Sequence, residues 1–140
     1  MTMTEKGKIL EEIGRLIDDQ LEGKSENAFL YSEVAENMGE GYILEDAGDH
    51  LIFHLADHEI IWTALALWEK DPKEQRWQAM RYSLNDGKFS VEFDYFNEED
   101  EEEISGERST RVLEERAGNR PIDNTLAKEK VKHLFDGFDI

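Results

Sequence analysis

Carboxylates are the side chains best placed to do chemistry in this chain. Glu98, Glu99, Asp100, Glu101, Glu102 and Glu103 run consecutively, just after a stretch in which Glu92 and Asp94 alternate with Phe93 and Tyr95. Hard oxygen donors can hold calcium, but the run has neither the Asp-x-Asp-x-Asp-Gly order nor the glycine that bends a calcium loop. It offers weak, nonspecific cation binding. Like-charge blocks are commonly solvated loops. The sharper reading is an acidic face that meets a basic groove on another protein, with rapid association from steering and affinity from aromatic anchors. Its candidate contacts are Glu92, Asp94, Tyr95, Phe96 and the carboxylates Glu98 to Glu103. Such a surface can also mimic a phosphate backbone in a nuclease channel.

Other residue types point away from catalysis. His50, His54 and His58 are four apart, a spacing that aligns ligands on one helix, but 49–55 alternates like a strand and Asp57 begins a new element. No metal site is expected there. Gly39-Glu40-Gly41 lacks the third glycine and the following helix of a phosphate loop, and no nucleophile motif or dinucleotide fingerprint occurs. No cofactor is implied, and the expectation is a protein that is not an enzyme. Trp62, Trp68 and Trp77 resemble base-stacking platforms, but such platforms work beside basic grooves. They are expected in the core.

Thirty-four Asp and Glu against sixteen Lys and Arg give a formal charge of −18 over 140 residues. That field repels nucleic-acid phosphates and anionic lipid, and favours a basic partner. With 39% hydrophobic and 10% aromatic residues, one globular domain over 1–140 is expected rather than a disordered chain. The absence of cysteine removes disulfides, thiolate metal sites and cysteine nucleophiles. The polar start, Met1 to Lys8, and the short apolar stretch Ile60 to Trp68 suggest neither signal peptide nor membrane span, hence a cytoplasmic protein.

The elements that must position these residues are legible from periodicity. Ile9, Leu10, Ile13, Leu16, Ile17 and Leu21 form one stripe of an amphipathic helix that Gly23 ends. Gly14 within it costs about 1 kcal/mol against Ala, which marks close packing on a sheet. A period of two then predicts strands at 29–36, 41–45 and 50–55, with Gly39, Gly41 and Ala47-Gly48-Asp49 as turns. Asp57 is suited to cap a short helix closed by Asp71-Pro72. A hairpin with Phe89, Val91, Phe93 and Tyr95 on its inner face turns at Asp86-Gly87. Helices are expected around 108–116 and 124–135. The sum is α+β: an antiparallel sheet of about five strands, meander plus hairpin, packed against helices.

Two of these strands carry a family likeness. Phe29-Leu30-Tyr31-Ser32-Glu33-Val34 as a Tyr-x-Glu-Val strand, and Asn85-Asp86-Gly87-Lys88-Phe89-Ser90-Val91-Glu92-Phe93-Asp94-Tyr95 as a Gly-Lys-Phe-x-x-x-Phe-x-Tyr strand, resemble the YezG-like immunity and antitoxin family over residues 5 to 100. The resemblance implies a small α+β protein without catalytic residues that binds and neutralises a secreted bacterial toxin of the polymorphic or contact-dependent inhibition type, often a nuclease. The extended acidic run after Tyr95 and the segment 107–140 depart from that pattern. The expected function is therefore an immunity protein whose partner is a cognate, basic nuclease toxin domain. The alternatives are a small acidic adaptor for a basic protein unrelated to toxins, and an enzyme with an inconspicuous site.

Overall fold

The computed structural model describes residues 4–95 and 105–129. The first apolar stripe folds as α1 (Glu5–Gln20), capped by the Thr4 hydroxyl, which accepts the Gly7 amide at 3.0 Å. Beyond it Gly23 takes φ 84°. A meander of β1 (Asn27–Ala35), β2 (Met38–Asp46) and β3 (Leu51–Leu55) leads into α2 (His58–Glu69) and a 3-10 turn at Lys73–Gln75. The hairpin β4 (Ala79–Asn85) and β5 (Lys88–Asp94), then α3 (Ser105–Ala117) and β6 (Ile122–Asp123), complete the order, with residues 125–129 helical.

The six strands among the described residues form one sheet in the order β5-β4-β1-β2-β3-β6. The α+β class holds, but the count and the purely antiparallel pairing expected from sequence do not. β6 is the addition: Ile122 and Asp123 lie parallel to Leu51 and Ile52 of β3. Two residues carry no alternation, so periodicity cannot announce such a strand.

Seven of the nine β1 residues are buried without alternation, because both faces of the sheet are covered. Ala28, Leu30 and Val34 pack with Ile13, Ile17, Ile60 and Ala64 of α1 and α2. Phe29 and Tyr31 pack instead with Val112 and Ala117 of α3. The two helices on the first face run antiparallel: Glu5 pairs with Lys70 at one end, and Gln20 accepts the Asp57 amide at the other. Asp57 occupies the N-cap position of α2 without a side-chain cap bond.

Glycines set how closely these layers approach. A Cβ on Gly14 would stand 2.7 Å from the Tyr82 hydroxyl, so the sequence-based reading of close packing is met in the structure. Gly39 and Gly41, expected as turns, lie inside β2 instead. A Cβ on Gly39 would come within 2.9 Å of Ile61 in α2, and one on Gly41 within 2.7 Å of the Tyr31 carbonyl. Glycine inside a strand here serves close approach. The turn before β2 falls at Glu36-Asn37, with Asn37 at φ 60°. Asp86 and Gly87, both at positive φ, make the expected two-residue hairpin turn.

Among the described residues no helix is long and apolar enough to cross a membrane.

Candidate partner-binding surface

The carboxylates singled out by sequence do not share one environment. Glu92 is exposed on β5, the last strand of the sheet. Asp94 is half-buried and accepts the Arg81 Nε at 2.8 Å, while Arg81 also stands 3.9 Å from Glu115 of α3. Asp94 is thus already engaged within the chain. Tyr95, assigned to the inner face together with Phe89, Val91 and Phe93, lies past the end of β5 and is 60% exposed. Phe89, Val91 and Phe93 do face the α1 and α2 side, where Phe93 meets Trp77 at 5.1 Å and Phe89 stacks on Tyr82 at 5.4 Å. Phe96 and Glu98 to Glu103 lie outside the described residues.

The α3 side is built on charge that is matched in place. Glu33 Oε1 accepts from both Nε and Nη2 of Arg108, at 3.2 and 3.1 Å, with both side chains largely shielded from water. Asp46 pairs with Arg120 at 2.9 Å. That hydrogen bond, assisted by the Gly48 amide, holds the Asp46 carboxyl below its ordinary value. Arg116 lies over the Phe29 ring at 4.6 Å, and the Tyr42 hydroxyl donates to the Ser109 carbonyl at 3.0 Å. These contacts tie α3 to the sheet, and a partner would have to break them to use the charges.

Across the sheet the arrangement is different. Between α1 and the β4–β5 turn lies an open cleft of about 1010 Å³, with Tyr82, Leu84 and Phe89 among its lining. Glu11, Asp18, Glu26 and Asp86 also line it, together with Arg15 and Lys88. Arg15 is already shared by Glu12 and Asp19, the latter at 2.8 Å. Asp18 accepts the Ser25 hydroxyl at 2.6 Å. Glu11, Glu26 and Asp86 have no ion pair among the described residues. Tyr82 fixes the wall, its hydroxyl donating to the Leu10 carbonyl at 2.7 Å. Burial pushes that hydroxyl above the ordinary tyrosine value.

Sequence reading missed this cleft because its carboxylates come from three separate segments: α1, the residue before β1 and the β4–β5 turn. Register brings them together: Asn27 lies opposite Asn85, and the Asp86 amide donates to the Glu26 carbonyl at 2.9 Å. The available signal was Gly14, which marks where α1 touches the sheet.

The histidines scatter as the change of element predicts. His50 sits beside Asp49 at 2.6 Å, His54 is 3.5 Å from Glu45 within the sheet, and His58 starts α2. Among the described residues no three His, Asp or Glu side chains gather as a metal-holding group. The tryptophans divide: Trp77 is buried and Trp68 half-buried, but Trp62 is 65% exposed, which overturns the expectation of core for all three.

No protein-family model and no curated protein matches the chain. The likeness to YezG-like proteins therefore rests on the two strand motifs, which form β1 and the β4–β5 hairpin. Of the first motif, Tyr31 and Glu33 are buried. They hold the fold rather than present themselves to a partner.

Proposed function

We propose that this chain is a noncatalytic inhibitor of the immunity type, one that binds a basic nuclease toxin domain and covers its substrate-binding surface with carboxylates. The observation that carries the reading is the cleft beside α1, where Glu11, Glu26 and Asp86 stand without ion pairs around Tyr82, Leu84 and Phe89. Nuclease channels are basic because they hold phosphates, and an acidic surface with an aromatic floor can enter one without offering a bond to cut. Unmatched carboxylates supply steering, and the apolar floor supplies affinity once water is expelled. A specific interface of this kind buries roughly 1,200 to 2,000 Å² in total. Glu92 and Tyr95, exposed on and just beyond β5, are a second candidate contact that the run Glu98 to Glu103 would extend in sequence.

The test starts with pull-down of a tagged chain from its producing strain and identification of what it holds. A toxin encoded beside it supports the immunity reading, while a basic housekeeping protein supports the adaptor alternative. With the toxin in hand, Glu11→Gln, Glu26→Gln and Asp86→Asn combined should slow association about tenfold at low ionic strength, with the gap closing as salt shortens the Debye length to about 8 Å. Neutralising Glu98 to Glu103 is the parallel experiment. Full protection by both variants, with unchanged association at low salt, would sink the acidic-face mechanism.

A further inference from the structure

We infer that the outward face of α2, centred on Trp62, is a docking surface for an arginine-bearing segment of a protein partner. The inference rests on the proposed function only for the identity of that partner. α2 is apolar nearly all round: Ile60, Ala64, Leu65 and Leu67 are buried, yet Trp62 points outward at 65% exposure. A helix of that composition is ordinarily covered on every side.

The helical repeat sets what surrounds the indole. Glu59, Trp62, Ala66 and Glu69 recur at intervals of three and four and are all exposed, so one stripe carries an aromatic ring and a small neighbour between two carboxylates. Ala66 leaves a shelf beside the ring. A planar guanidinium laid on that ring has a carboxylate about one turn away towards the N-terminus, a geometry that suits arginine better than the compact ammonium of lysine. The chain uses the same chemistry internally, with Arg76 over Trp68 at 4.3 Å. Trp62 has no such cation among the described residues. Arg15 feels the charge of Glu59 but is hydrogen-bonded to Glu12 and Asp19.

Two other occupants fit poorly. A second copy meeting this face across a twofold axis would set Glu59 and Glu69 against their own counterparts, on chains of −18 each. A nucleic acid could stack on the indole, but the flanking carboxylates repel its phosphates.

The test uses two blocked peptides of equal length and charge, one alternating arginine with glycine and the other lysine with glycine. Each is titrated into the full chain by calorimetry, with the three indole N–H signals followed by NMR. The arginine peptide should bind about two- to fivefold more tightly, the range expected of an exposed cation–π contact, and should move the Trp62 indole. Trp62→Ala should abolish the preference while leaving the melting temperature unchanged, and Glu59→Gln with Glu69→Gln should weaken both peptides. Equal binding of the two peptides to the native chain, or a preference that survives Trp62→Ala, would overturn the inference. An arginine preference that depends on Trp62 in a chain that protects no cell from any toxin would remove the toxin reading alone. Protection with no such preference would remove this surface alone.

Discussion

The two faces of the sheet differ in where they leave carboxylates open. Under α3 the acids are matched within the fold, Glu33 by Arg108, Asp46 by Arg120 and Asp94 by Arg81. Beside α1, Glu11, Glu26 and Asp86 line an open cleft with no such match. Charges closed into pairs position an element, whereas charges left open act at a distance. Net charge alone does not separate these roles. Geometry does, and the proposed interface adds α1 and the hairpin turn to the exposed Glu92 and Tyr95.

The largest effect that tests this contrast is alkaline unfolding. Burial raises the hydroxyls of Tyr31 and Tyr42 on the α3 side, and of Tyr82 on the α1 side, above the ordinary value. The folded chain keeps protons that the unfolded chain loses above pH of about 10, so stability is undiminished below that pH and falls as pH rises through it. In a Tyr95→Phe background, absorbance of tyrosinate and loss of ellipticity should therefore coincide in one step. An earlier step confined to two tyrosines would show that the α3 layer opens by itself.

Next in size is Arg108→Ala, which removes the guanidinium from the buried Glu33 carboxylate and should cost about 3 to 5 kcal/mol in denaturant titration. The double change Arg108→Met with Glu33→Gln should cost less, because no buried charge is left unpaired. Neutralising Glu11, Glu26 and Asp86 should shift stability by no more than about 0.5 kcal/mol. Equal losses on the two faces would erase the contrast.

Phe93→Ala should cost about 2 to 3 kcal/mol, below the figure for a fully enclosed ring because Phe93 is only half-buried against Trp77, and Glu92→Ala should stay near neutral. The smallest of the packing effects concerns Gly14. Gly14→Ala should destabilise by about 1 to 3 kcal/mol through the Tyr82 hydroxyl. In a Tyr82→Phe background the next atom is 3.7 Å from the new methyl, and the helix preference of alanine, about 1 kcal/mol, should emerge instead. A cycle without coupling would place the contact elsewhere.

Local pattern made much of the fold legible. The stripe Ile9 to Leu21, the Asp86-Gly87 turn and the alternation on both sides of it each describe a segment that answers to its own neighbours. What stayed hidden depends on distant partners. Gly39 and Gly41 read as turn residues until Ile61 is set against them, and Ile122-Asp123 becomes a strand only because β3 has a free side. Trp62 reads as core because nothing local distinguishes it from Trp68. The cleft was invisible for the same reason: Glu26 and Asp86 are sixty positions apart in sequence and become neighbours only through β-sheet register.

The two ends of the sheet differ in what they offer to a stray chain. β6, two residues long, closes the free side of β3, and a strand so short gives little to copy. β5 has no such cover among the described residues, and its seven-residue backbone is a template on which another strand could grow. Long-range repulsion between copies, each at −18, keeps them from closing to pairing distance while ionic strength is low. Screening or acid should weaken that barrier, so aggregation by edge-to-edge strand addition becomes the failure to watch for in high salt or near the isoelectric point, close to 4.5.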